Sequence, residues 1–320
     1  MSAHDAIHQG QTVQELIEQA RMAVSGHRLS EAAELLEHAL TVDFDHPDLV
    51  VSLKYVRFWM DRTSLLEQIG SAFEQGEFLL AQWHNFLQFI ERVGEASEPW
   101  MAAVRYHVFG SALGYYRDVA EQTGSVDPEL LLRLGRCEKA LGHYDAALAA
   151  LERAGKARRE DAQILVELAD CYALTGEAVR AKAFFREAFF ISPQRIDVSS
   201  LESQMICRLI AKVREEGLGG ADLAEWVPVY GVLYGVFSVK RELRAIEYGK
   251  LRQSIYALER EIHEIRDPEA VDSAKKARLI NRYFWLIDHY SNTGEERSKI
   301  DEVLLKIREL SMKIYQRYTN

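Results

Sequence analysis

The sequence is poor in the residues that interrupt helices and in those that build covalent or metal frameworks. Its 320 residues include only six prolines and three cysteines, and no cysteine lies in a Cys-x-x-Cys pair. Scarce proline leaves long stretches free to be helical, because proline removes a backbone donor and clashes with the preceding turn. Three isolated cysteines cannot build a disulfide framework, and they are typical of a reducing, cytoplasmic environment. We also expect no metal site, since cysteines and histidines are not clustered at ligand spacing.

Long hydrophobic runs are missing as well. The longest, Trp226–Phe237, has 12 residues and contains Pro228, whereas a membrane-spanning helix needs about 20 apolar residues. The N-terminal residues show no positively charged start followed by an apolar core, which a signal peptide requires. We therefore expect a cytoplasmic protein without a membrane span.

Positive charge is scarce in the first half of the chain. Residues 1–160 contain 15 Lys+Arg and 24 Asp+Glu, and the remaining residues contain 24 and 25. This negative surplus repels phosphate backbones, so we expect no nucleic-acid partner. Sequence motifs of common enzymes are also absent, among them the Gly-x-Ser-x-Gly elbow, His-Glu-x-x-His, the phosphate loop and the dinucleotide fingerprint. The sequence therefore predicts neither an enzyme nor a cofactor.

What the chain does contain is a repeat of 34 residues. Residues 128–161 align with residues 162–195 without a gap. Residues of the same kind coincide in the two copies: Leu131 with Leu165, Leu134 with Leu168, Gly135 with Ala169, Cys137 with Cys171, Gly142 with Gly176, Ala147 with Ala181, Leu151 with Phe185 and Ala154 with Ala188. Small residues let helices approach closely and large ones fill the space between, so each copy predicts a pair of antiparallel helices. A left-handed glycine, Gly142 or Gly176, is expected to end the first helix of each pair.

This pattern resembles the tetratricopeptide repeat. The second copy matches well, with signature positions of that family occupied by Leu165, Leu168, Ala169, Tyr172, Gly176, Ala181, Phe185, Ala188 and Pro193. The first copy departs from the pattern at Glu138, where an aromatic residue is usual, and at Arg159, where proline is usual. The resemblance implies an all-α solenoid of helical hairpins, here followed by long C-terminal helices.

Three regions follow from this interpretation. We expect divergent helical repeats over residues 1–127 and two well-matched repeats over residues 128–195. Residues 196–320 then form a C-terminal helical region with a degenerate repeat and capping helices. Within the first region, Gly76 predicts a turn between two helices, and within the last, Pro268 predicts the start of one.

The resemblance also implies a binding site. In tetratricopeptide repeats the first helices line a concave groove that receives a peptide of a partner protein. Carried over to this sequence, the groove positions are Glu129, Leu132, Arg136, Lys139, Gln163, Val166, Asp170 and Ala173. Arg136 and Lys139 would hold a carboxylate, and Leu132 and Val166 would receive an apolar side chain. The alternative interpretation is that these residues form ordinary solvated helix faces.

The predicted function is therefore a protein-interaction scaffold or adaptor, and two features leave alternatives open. Two predicted helices carry apolar heptads, at Tyr248, Leu251, Ile255, Leu258, Ile262 and Ile265 and at Ile300, Val303, Ile307, Leu310 and Ile314. Such a seam packs either within the chain or against a second copy, which would make a structural homo-oligomer. The segment Trp226–Phe237 is apolar on all sides. It is either buried or an exposed patch that binds a small ligand or lipid.

Overall fold

The computed structural model describes residues 12–94, 96–124, 127–265 and 271–320. Within these ranges the protein contains fifteen α-helices, three short 3₁₀ turns and no strand. Successive helices pack closely on each other in the pairs Val13–Ser25 with Leu29–Val42, Ala72–Val93 with Glu98–Thr123, and Ala162–Leu174 with Ala178–Ile191. The predicted all-α fold of helical hairpins is confirmed.

The chain forms two compact units that divide after Ala150. In the first unit the helices are α1 (Val13–Ser25), α2 (Leu29–Val42), α3 (Pro47–Leu66), α4 (Ala72–Val93), α5 (Glu98–Thr123) and α6 (Pro128–Ala140). Helix α7 (Tyr144–Ala157) contains the point of division. In the second unit they are α8 (Ala162–Leu174), α9 (Ala178–Ile191), α10 (Gln204–Glu215), α11 (Leu223–Leu233), α12 (Ala245–His263), α13 (Ser273–Thr293), α14 (Arg297–Leu310) and α15 (Met312–Thr319). This division does not coincide with the region boundaries drawn from the sequence.

The two repeat copies begin and end in the same way. Asp127 caps α6 by accepting hydrogen bonds from the backbone N–H groups of its first turn, and Asp161, 34 residues later, caps α8 likewise. Both caps satisfy donors that a helix start leaves without partners. At the other end, Gly142 and Gly176 have φ angles of 80° and 85°. The predicted left-handed glycines are therefore confirmed, and the aspartate caps extend the repeat to positions that the sequence comparison had not used.

In the first unit, α1 packs on α2 and α5, and α4 packs on α5. The turn predicted at Gly76 was wrong, because Gly76 lies inside α4 and the turn precedes Ala72. A Cβ atom at position 76 would lie 2.6 Å from the ring of Tyr116 on α5. Glycine is present there for close packing between two helices, which a sequence reading cannot distinguish from a turn.

In the second unit, α11 lies at the centre and packs on α9, α10 and α13. Most of Trp226–Phe237 is consequently buried, although Tyr234 is exposed. Helices α12 and α14 both pack on α13 and bury heptad residues of each seam, including Leu251 and Ile307. No helix in the described ranges is both long and apolar enough to cross a membrane. The start predicted at Pro268 falls outside the described residues.

Candidate protein-binding site

The structure buries half of the predicted groove positions. Leu132 and Val166 are each 1% exposed, Lys139 is 2% exposed and Asp170 is fully buried. Side chains with so little exposed surface offer a partner almost nothing to contact, and the groove itself stays a prediction. The other four, Glu129, Arg136, Gln163 and Ala173, are partly exposed.

In α8 the cause of this burial is the chain that follows the repeat. The carboxylate of Asp170 accepts hydrogen bonds from the backbone N–H groups of Glu202, at 2.8 Å, and Ser203, at 2.9 Å. These bonds hold the segment before α10 against α8, and α10 itself packs on α8. Asp170 therefore positions the backbone of residues 202–203. The two N–H groups and the buried carboxylate satisfy each other's hydrogen bonds.

In α6 an arginine that was not predicted carries the strongest polar contacts. Arg133 donates to both oxygens of Glu77 on α4, from Nε at 2.6 Å and from Nη2 at 3.0 Å. Tyr116 donates to the same carboxylate at 2.6 Å, and Arg133 also pairs with Glu129 at 2.9 Å. Burial opposes the charge on Glu77, but the hydrogen bonds from Arg133 and Tyr116 outweigh it and lower the pKa of Glu77. This network links α6 to α4 and α5. It also includes the partly exposed Glu129, whose carboxylate pairs with Arg133.

A more open surface lies in the second unit, where α12 and α14 leave a cleft over α13. Two adjoining cavities of about 880 and 510 Å³ fill this α12–α14 cleft, and Tyr256, Glu259, Tyr283 and Lys306 line both. The aliphatic lining comprises Ile255, Ile262, Ile265, Val271, Leu279, Leu286, Val303 and Leu310. Together these volumes can accommodate several side chains of a bound peptide.

An ion pair crosses the cleft between its two cavities. Lys306 of α14 lies 2.7 Å from Glu259 of α12, and the hydroxyl of Tyr283 on α13 donates to Glu259 at 2.7 Å. Burial again opposes the charge on Glu259, and the bonds from Lys306 and Tyr283 outweigh it, so the pKa of Glu259 is lowered. The pair sets the spacing of the two walls.

The rest of the described lining is electropositive and carries an exposed aromatic side chain. Besides Lys306, the cations are Arg252, Arg260, Lys276 and Lys299, and His263 lies among them. Arg260 also pairs with Glu264 and Lys299 with Glu295, both outside the lining. Besides Glu259, the carboxylates are Glu302 and Glu309. Tyr256 is 69% exposed although it lies beside apolar neighbours. The heptad pattern of α12 marks its buried seam and gives no sign of this surface. The signal that could have found it is an aromatic residue directly beside a seam position, Ile255.

The hairpin of α8 and α9 defines the class of fold, a pair of helices closed by a left-handed glycine and packed through small residues. Ala169, Ala181 and Ala188 all lie fully buried in it, which lets the two helices approach closely. Residues 140–205 match the family model of the tetratricopeptide repeat. This match falls on the part of the chain where the sequence predicted the repeat. No curated protein matches the chain.

Proposed function

We propose that this protein is a non-enzymatic scaffold that binds an acidic, amphipathic segment of another protein in the α12–α14 cleft. Tetratricopeptide repeats are in general modules of protein–protein interaction, and residues 140–205 of this chain match their family model. The observation that carries the choice of surface is an apolar cleft with a cationic lining on a protein whose net charge is −10. A segment with carboxylates and a few large apolar side chains complements that lining.

The cleft would bind such a segment with little reorganisation. Its three helices are held in place by the buried seams and by the Glu259–Lys306 pair, so the partner alone loses conformational freedom on binding. Tyr256 offers a large aromatic contact, and such residues contribute most of the energy at many interfaces. Arg252 and Arg260 can donate charge-assisted hydrogen bonds to carboxylates of the partner.

A peptide-display selection against the full chain tests the proposal. We expect the selected peptides to be enriched in Asp or Glu together with large apolar residues. Tyr256→Ala should weaken binding of the selected peptides by tenfold or more. This factor corresponds to a loss of about 1.4 kcal/mol or above, as expected when an interface anchor is removed. Ile246→Ala is the matched control, because Ile246 is 77% exposed on the same helix and lines neither cavity. Equal binding by both variants would remove the cleft from consideration.

The groove inferred from the family resemblance is tested in the same assay. Arg136 remains partly exposed on α6, so Arg136→Glu should leave binding unchanged if the cleft is the site. If Arg136→Glu abolishes binding while Tyr256→Ala does not, the partner binds along the first helices of the repeats instead.

We also infer that the protein works in the cytoplasm. Its three cysteines, Cys137, Cys171 and Cys207, all lie in the described ranges and form no disulfide there. Thiols of this kind are typical of reducing compartments. Fractionation of the source cells, with detection of the protein in each fraction, tests this location.

A further inference from the structure

A separate cavity lies in the first unit, between the α1–α2 turn, α3 and α5. Its volume is about 370 Å³, which is within the range of small-molecule sites. Its apolar lining consists of Leu29, Trp59, Met60, Leu66 and Leu79. Its polar lining includes Arg62, His27, His107 and Ser111. Neither the tetratricopeptide match nor the proposed cleft involves these residues.

Arg62 is held so that part of its guanidinium remains available. The group lies over the ring of Phe58, with Cζ 3.3 Å from the centroid. Nε donates to Gln82 at 2.8 Å and Nη1 donates to the Phe58 carbonyl at 2.7 Å. Among the described residues, no carboxylate forms an ion pair with it. Burial lowers the pKa of Arg62, and the charge of the neighbouring Asp61 offsets this effect only in part.

Burial favours the neutral forms of the two histidines of the cavity. It lowers the pKa of His27, and it brings the pKa of His107 to about 4, with a smaller contribution from repulsion by His27 in its protonated form. His27 bonds to the backbone of His107 and lies 2.9 Å, through Nδ1, from the Ser111 hydroxyl. Its φ of 61° is the one positive value at a non-glycine residue in the described ranges, a strained conformation of the kind that clusters at binding sites. Arg62 therefore supplies the positive charge of the described lining.

Two buried polar atoms of the lining have no hydrogen-bond partner within the described residues. They are the indole Nε1 of Trp59, a side chain only 2% exposed, and Nδ1 of His107. Buried polar groups are nearly always satisfied, so each such exception needs an explanation. Both atoms are closed off from the cavity by their own burial, so they reflect the packing of its wall and are not contacts for a bound molecule.

From these observations we propose that the cavity binds a small molecule with an apolar body and a single carboxylate. The carboxylate pairs with the guanidinium of Arg62, whose planar fork matches two carboxylate oxygens. One fixed cation with neutral histidines beside it favours a monoanion over a doubly charged phosphate. The apolar body lies against Trp59 and Leu79. Plain organic acids and α-amino acids share this chemistry, and the exposed Glu67 at the cavity is the residue that would attract an amino group.

The test is a titration of the full chain followed by ¹H–¹⁵N spectra, with the indole N–H of Trp59 assigned through Trp59→Phe. The probes are hexanoate and 3-phenylpropionate, their uncharged amides, and the amino acids leucine and phenylalanine. We expect a saturable shift of the Trp59 signal with the acids and binding at least tenfold weaker with the amides. If the amino acids bind more tightly than the acids, and Glu67→Gln removes that preference, the ligand is an amino acid.

Arg62→Gln should weaken binding of the acids at least tenfold, whereas Arg57→Gln should leave their binding unchanged. Arg57 lies on the same helix, is exposed and does not line the cavity, so it controls for the loss of one positive charge. Arg62→Lys keeps the charge without the fork and should weaken binding to an intermediate degree. It also serves if Arg62→Gln fails to fold. The proposal is overturned if no acid shifts the Trp59 signal at millimolar concentration, if amides bind as well as acids, or if the Arg62 and Arg57 variants bind alike.

Discussion

At the scale of single residues, two glycines inside helices are present because of neighbouring rings. A Cβ atom at Gly76 would lie 2.6 Å from the ring of Tyr116, and one at Gly231 would lie 2.5 Å from the ring of Phe237. Phe237 is buried and packs against Phe185 and Phe189, so its ring has little room to move. Close packing of this kind makes an added methyl group costly although alanine favours helices.

Gly231→Ala should therefore destabilise the protein by about 1–3 kcal/mol, the usual effect of overpacking a core. Gly249→Ala on α12 is the matched change, because no atom lies within 4 Å of its added Cβ. That variant should be more stable than the wild type by about 0.5–1 kcal/mol, since alanine loses less backbone freedom. Urea midpoints of the two variants measure both effects. If Gly249→Ala is also destabilised, close packing against a ring does not explain the loss in Gly231→Ala.

The most deeply buried ion pair joins α9 to α13. Arg186 of α9 pairs with Asp288 of α13, and both side chains are almost entirely buried. Arg186 also donates to the carbonyl of Val239 at 2.9 Å, and Lys240 lies 2.8 Å from Asp288. The arginine depends on this carboxylate because its surroundings offer no water to solvate it.

Asp288→Ala should destabilise the protein by about 3–5 kcal/mol, because it leaves a buried arginine without its counter-charge. Replacing both partners by apolar residues, Arg186→Met with Asp288→Leu, should recover most of that loss. A double-mutant cycle from urea unfolding compares the two outcomes. If the double variant is as unstable as Asp288→Ala alone, packing and not charge explains the effect.

At the scale of elements, the C-terminal helix α15 is attached by one carboxylate and a few apolar contacts. Glu216 lies 2.6 Å from both Lys313 and Arg317. Ile314 is buried, and the ring of Tyr318 stacks on Phe284 with centroids 4.6 Å apart. The hydrogen bonds from Lys313 and Arg317 lower the pKa of Glu216 to about 2 from its ordinary 4.5.

This depressed pKa predicts how the attachment depends on pH. A carboxylate with a lower pKa in the folded state stabilises it fully above about pH 4.5, and this contribution is lost as pH falls towards about 2. The wild type should therefore be more stable than Glu216→Gln at neutral pH. This difference in stability should shrink as the pH falls from about 4.5 to about 2. Urea midpoints across this range measure it, with Glu215→Gln, an exposed neighbour, as control. A difference that does not change with pH would contradict the role of the Glu216 charge.

At the scale of the whole molecule, part of each apolar seam of α12 and α14 already has a partner, whereas Ile262, Ile265 and Leu310 line the α12–α14 cleft. Leu251 and Ile255 of α12 and Val303 and Ile307 of α14 are buried within the second unit. A homo-oligomer built through these seams would first have to expose them, which burial of apolar surface opposes. Light scattering should therefore give a mass near 36.6 kDa at tens of micromolar protein. A mass of about twice that value would show that another surface joins two copies.

The match between sequence and structure is best where contacts are local. The 34-residue offset predicted the hairpins, and it also holds for the caps Asp127 and Asp161 and for the glycines Gly142 and Gly176. It is weakest at the groove, because the repeat pattern says nothing of what packs on α8. Asp170 occupies a groove position of the family, yet it binds the backbone of residues 202–203, which lie beyond the repeat.

The sequence by itself determined the all-α class, the repeat and the turns that close its hairpins, because these depend on periodicity and on residues a few positions apart. The tertiary structure decided which helix faces stay exposed. It closed half of the expected groove positions with the protein's own chain and left Tyr256 and a cationic cleft open on α12. It also brought His27, from the turn after α1, to the same cavity as Arg62 and Trp59 of α3. Exposure is settled by contacts between residues far apart in the chain, and the local pattern of a single sequence does not encode those contacts.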